Sequence, residues 1–221
     1  MLITLGIIGV VAAMTMPSLI NNYKDKELIV RTRKAYSVIQ NAILLAQVEN
    51  NSVGDNMSLF DTTKTSEDVA ENFAKYFNGA VVCKDKNSNG CKDFFYNVKY
   101  ASKVGERSIA SPKVVLTDNT VITVLQRSSC IRTANDCKQN ANGECVVDES
   151  GNTIPTVTTH TDCATLYFDV NGPKLPNQYG RDVYTLKIKS NSISPSSWAP
   201  EGARSLKNIL SGIDKLEYTK F

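Results

Sequence analysis

The chain has 221 residues, a length that suits one globular domain of ordinary size around a single core. Its formal net charge is only +3, with 25 Lys and Arg scattered among 22 Asp and Glu, so charge gives no support to a broad nucleic-acid surface. The six cysteines Cys83, Cys91, Cys130, Cys137, Cys145 and Cys163 all lie in the polar C-terminal part. No C-x-x-C pair occurs among them, which argues against a structural zinc site and for disulfides. The competing state is six reduced, buried thiols acting as small hydrophobes. Disulfides persist only in oxidising compartments, so the domain is expected in the periplasm or outside the cell.

Residues 2–20 read LITLGIIGVVAAMTMPSLI, without one charge. At about 1.5 Å per residue such a helix approaches the roughly 30 Å hydrocarbon core of a bilayer. A signal-peptide apolar region is the competing reading, but no basic residues precede Leu2 and the apolar run continues past Ala13. A buried soluble helix is a third. Pro17 falls inside the run, where a membrane helix bends rather than ends. Gly6, Gly9, Ala12 and Ala13 set small side chains at the spacing that lets helices approach closely in lipid.

From there Leu28, Thr32, Ala35, Tyr36, Ile39, Ala42, Ile43 and Ala46 recur every three or four residues, one amphipathic helical stripe. No Gly or Pro interrupts 21–50, so one helix of about 50 residues is expected, with a break near Asn21 and Asn22 as the alternative. Three regions follow: 1–20 as the membrane or filament-core half of the helix, 21–50 as its amphipathic half, and 51–221 as an extracytoplasmic globular domain.

Residues 51–64 are polar and read as a loop. Thr65-Ser66-Glu67-Asp68 then starts a short helix that turns Val69, Phe73, Tyr76 and Phe77 inward and stops at Gly79. Strand patterns occupy 94–100, 114–117, 121–126, 164–170 and 183–189, with a hairpin turn at Asp118-Asn119. A last helix is expected over 201–213. The fold class is α+β: a long N-terminal helix packed on a small antiparallel sheet, stapled by disulfides. Loop closure favours Cys83 with Cys91 and Cys137 with Cys145, leaving Cys130 for Cys163, one of fifteen possible connectivities.

The apolar segment with its interior proline, running into a long amphipathic helix and a polar β-rich domain, resembles type IV pilins and type II secretion pseudopilins. A second stretch, DVNGPKLPNQYGRDVYTLKI at 169–188, is similar to a C-terminal segment of some pilin-like proteins. Family members carry a short basic leader ending in Gly, then usually Phe, and Glu as the fifth mature residue. Here the pattern resumes at Met1-Leu2-Ile3-Thr4, as the residue after that Glu, so further coding sequence is expected upstream. Peptidase processing and N-methylation are therefore assigned to no residue of this chain. The missing leader also bears on orientation, because Lys24, Lys26, Arg31, Arg33 and Lys34 follow the span and by the positive-inside rule alone stay cytoplasmic. The cysteines place the domain on the other side.

The resemblance implies a structural, non-enzymatic subunit, stored in the inner membrane and drawn into a filament by lateral packing of N-terminal helices. Its implied partners are other pilin or pseudopilin subunits, a prepilin peptidase and an assembly platform, with no nucleic acid. The rival is a membrane-anchored periplasmic binding domain, for calcium or a glycan, that never polymerises. Two turns carry calcium-like oxygen spacing: Asp85, Asn87 and Asn89 with Asp93, and Asp169 with Asn171. In the first, Tyr96 stands where an EF-hand places its closing Glu, so an Asx-rich turn is the competing reading. His160, the one histidine, sits in a polar stretch and reads as a solvated loop residue; Trp198 reads as a packing anchor. No cofactor is expected beyond this possible calcium, and no nucleophile-elbow, metalloprotease or phosphate-loop motif occurs.

Overall fold

The structure is a computed structural model that describes residues 2–220, with side chains described at 15, 16 and from 19 onward. Helix α1 spans Leu2–Glu49 and does not break at Asn21 and Asn22. Its inward face buries Leu28, Ile29, Thr32, Ala35, Ile39, Ala42, Ile43 and Ala46, the expected stripe with Ile29 added and Tyr36 half-buried. The buried alanines share one core cluster with the apolar residues of the sheet, and Thr32 satisfies its own hydroxyl by donating to Leu28 O at 2.7 Å. Among the described residues no helix is long and apolar enough to cross a membrane. The expectation of a span at residues 2–20 falls mostly outside the described side chains.

Helix α2, Ser66–Ala74, starts where expected and opens with a capping box at Thr65: Asp68 N donates to Thr65 Oγ1 and Thr65 N to Asp68 Oδ2. Val69, Ala70, Phe73 and, beyond the helix, Phe77 fill the core below it. Ten strands lie among the described residues: β1 (Val81–Cys83), β2 (Asn97–Lys99), β3 (Glu106–Ser108), β4 (Lys113–Val115), β5 (Val121–Gln126), β6 (Arg132–Cys137), β7 (Pro155–His160), β8 (Ala164–Asp169), β9 (Val183–Ile188) and β10 (Ile193–Pro195). Six of them form one antiparallel sheet in the order β1-β4-β5-β8-β9-β10, while β2-β3 and β6-β7 are separate ribbons. Helix α3, Ala203–Leu210, is shorter than the expected 201–213 at both ends. Glu201 is diverted into a 3-10 turn, its carboxylate held by Arg107 and Ser196.

The register sorts the sheet's two faces. Ile122, Phe168 and Tyr184 sit side by side, as do Val124, Leu166 and Leu186, and these pack in the core that α1 covers. The alternate rows carry Lys113, Thr123 and Tyr167, then Val121, Asp169 and Val183. This second face is also buried, under Val98, Ala101 and Tyr179 from the β2-β3 region and the 170–182 loop. Polar residues on it are thereby taken out of water.

Three disulfides staple the domain: Cys83–Cys91, Cys130–Cys163 and Cys137–Cys145. The strand expected over 94–100 shrinks to β2, because Lys92–Phe94 coil into a 3-10 turn just after Cys91. The β6-β7 ribbon was not foreseen. Its sequences, RTANDC and PTVTTH, bury neither face and so lack the apolar alternation that marks a half-buried strand.

Candidate functional site

Beyond packing, polar ties hold α1 to the domain. Arg181 Nε donates to Asp25 Oδ1 at 3.1 Å, Tyr218 OH to Asp25 Oδ2 at 3.2 Å, and Lys34 pairs with Asp118 at 2.8 Å. The rest of the helix surface keeps large apolar side chains uncovered: Leu19, Ile20, Tyr23, Val30, Leu44, Leu45 and Val48 are all exposed. The expected helix-packing residues Gly6, Gly9, Ala12, Ala13 and Pro17 have side chains outside the described ones.

The first calcium-like turn closes on itself. Asp85 Oδ1 accepts the N–H groups of Asn87 at 2.7 Å and Ser88 at 2.9 Å, an Asx turn within the Cys83–Cys91 loop. Asn87 and Asn89 belong to that turn, and Asp93 sits on the following 3-10 turn. Among the described residues no group of three or more His, Cys, Asp or Glu is arranged to hold a metal ion.

The second turn is part of a larger polar core. Asp169, at the end of β8, accepts the N–H groups of Asn171 at 3.0 Å and Gly172 at 2.9 Å on one oxygen and the Tyr96 hydroxyl at 2.7 Å on the other. Asp182, just before β9, accepts Asn177 N at 2.9 Å and Gln178 N at 2.7 Å. Asn171 Nδ2 donates to Lys174 O at 2.9 Å, and the Asn177 amide nitrogen, turned inward, reaches Gly172 O and Lys174 O. Gly172, at φ +62°, passes so close to Asn119 that a Cβ would sit 2.6 Å from its carbonyl oxygen, so the loop needs glycine there. Both carboxylates thus serve as anchors for loop backbone.

Burial and, after it, the charge of Asp182 push the Asp169 carboxyl well above the usual range; burial raises Asp182 to about 6 against the pull of its backbone donors. Opposite them, burial lowers Lys113 to about 8, with the Asp169 charge opposing. Its ammonium donates to Ile109 O at 2.9 Å and Thr123 Oγ1 at 3.0 Å and lies 4.6 Å over the Phe95 ring. Tyr96, Lys113, Thr123, Tyr167 and Asp169 line a cavity of about 20 Å³, room for roughly one water. An acid, a base and a phenol meet here with no space for a substrate, so the cluster is a polar core. Tyr96 carried no local signal in the sequence, since its partner Asp169 lies 73 positions away; Asp182 and Lys113 bond to groups within ten positions, but no spacing marks them as buried.

His160 lies on β7 rather than in a loop, partly exposed, with Nε2 3.9 Å from Asp136 Oδ2. Trp198 packs edge-on to Tyr100 and lies beside Gly143, whose Cβ would come within 2.8 Å of the indole nitrogen. Asp162 gathers Arg132, Lys187 and Arg127 at 3.3 to 3.9 Å, fastening the base of the β6-β7 ribbon. No family model, no curated protein and no solved structure matches the chain.

Proposed function

We propose that this chain is a structural, non-enzymatic pilin or pseudopilin of a type IV pilus-like or type II secretion filament. In this reading residues 2–20 anchor it in the inner membrane and residues 51–221 lie in the periplasm until assembly. The observation that carries the reading is the exposed apolar surface of α1: Leu44, Leu45 and Val48 lie uncovered beside the stripe that binds the chain's own domain. A helix that attaches its domain by one face and leaves apolar side chains free on others is built to pack against further helices. The polar core supports a structural role, because its titratable groups hold a loop rather than open to solvent. Filaments are the expected product in cells that carry an assembly platform and a prepilin peptidase, imaged with antibody to this chain. Combined Leu44→Ser, Leu45→Ser and Val48→Ser changes should abolish filaments while the three disulfides still form. Filaments unaffected by these changes, or none from the unaltered chain, would count against the reading.

A further inference from the structure

Residues 21–31 of α1 and the 170–182 loop enclose a groove of about 490 Å³. Asn21, Lys24, Leu28 and Arg31 line it from α1, and Lys174 and Leu175 from the loop. The acids of this turn are already engaged: Asp25 by Arg181 and Tyr218, and Glu27 by Arg31 at 2.7 Å. Among the described residues Lys24, Lys26 and Lys174 are exposed and make no ion pair or hydrogen bond through their side chains. Beside them Leu175 is 83% exposed and Tyr23 70% exposed.

We infer that this groove and its rim dock on anionic phospholipid headgroups, which hold the domain against the membrane it is anchored in. The inference rests on the membrane-anchored reading above. Lys24 lies four residues past the end of the apolar run, about 6 Å along the helix, within the headgroup layer that extends roughly 5–8 Å beyond the hydrocarbon core. The unpaired Lys24 and Lys174 of the groove complement lipid phosphate at that depth, with Lys26 about 9 Å along the helix at the layer's outer edge, while an apolar side chain and a tyrosine near the same level match the interfacial belt. A soluble anion would account for the lysines but leave Leu175 and Tyr23 exposed without reason.

The test uses the full chain in lipid nanodiscs, reading hydrogen–deuterium exchange at the Lys174 and Leu175 amides. With about 30% phosphatidylglycerol, exchange there should slow at least roughly fivefold relative to phosphatidylcholine discs, the effect expected of even one surface lysine. Combined Lys24→Gln, Lys26→Gln and Lys174→Gln changes should remove the slowing. So should about 1 M salt, at which the screening length falls to about 3 Å. Equal exchange in both lipids, or slowing that survives the triple change, would overturn the inference. Equal slowing by inorganic phosphate in phosphatidylcholine discs would also overturn it, in favour of a soluble anion. A chain that does not enter discs at all would instead remove the membrane-anchored reading beneath it.

Discussion

Asp169 and Asp182 close one loop from its two ends: the first accepts the N–H groups of Asn171 and Gly172, the second those of Asn177 and Gln178. The ends are also tied directly, since Val170 N donates to Asp182 O at 3.0 Å. Two carboxyls so buried and so near one another cannot both be readily ionised, which couples the loop's anchorage to pH.

Removing the Asp182 carboxylate should therefore be costly. Asp182→Ala orphans two buried N–H groups, at about 1–3 kcal/mol each, so a loss of about 2–6 kcal/mol is expected from urea unfolding. The folded chain keeps the Asp182 proton to about pH 6, whereas an unfolded aspartate loses it near 3.9. Between those values the folded state binds more protons, so stability falls as pH rises from about 4 to 6. Asp182→Asn should flatten that segment of the pH profile.

Lys113 titrates in the opposite sense. Its folded value of about 8 lies below the ordinary 10.5, so the unfolded chain binds more protons in between and stability rises with pH across that window. Compared with Lys113→Met, the unaltered chain should gain on the order of 3 kcal/mol between pH 8 and 10.5. Paired urea titrations of the two proteins check this, and a constant difference would mean the amine is better hydrated than its burial implies.

The disulfides should differ in worth. Cys130–Cys163 joins residues 33 apart, against 8 for each of the others. By loop-closure entropy its loss costs about 4 kcal/mol, and loss of either short bridge about 2.5 kcal/mol. Paired Cys→Ser variants compared by urea unfolding give the ranking. Mass spectrometry with and without reduction should find no free thiol in the native protein.

Gly143 lets the tip beyond β6 approach Trp198. Its φ is +80°, and a Cβ would lie 2.5 Å from Pro200 Cδ. Gly143→Ala should cost about 1–2 kcal/mol from the left-handed backbone alone. It should also shift the emission of Trp198, the one tryptophan, as the tip moves off the indole.

Local patterns in the sequence were enough to place α1's buried stripe, the helix start at Thr65, the turn at Asp118-Asn119 and the strands β5, β8 and β9. Each depends on residues within a few positions of one another, where periodicity, caps and turns act. The short cysteine loops belong to the same class, because closing eight residues costs little entropy. The oxygen spacing at Asp85 and Asp169 was equally visible, and there the carboxylates accept backbone N–H groups of the turns that follow them. Only the tertiary structure decided that the sheet is covered on both faces. That covering brings Tyr96 to Asp169 across 73 positions and turns Lys113 from a surface charge into a buried one. The same holds for the free lysines of the groove. The sequence shows lysines and acids interleaved, but Arg181 reaches Asp25 from 156 positions away, and that pairing determines which cations are left without a partner. Such contacts depend on how distant segments fill one volume, which spacing along the chain does not encode.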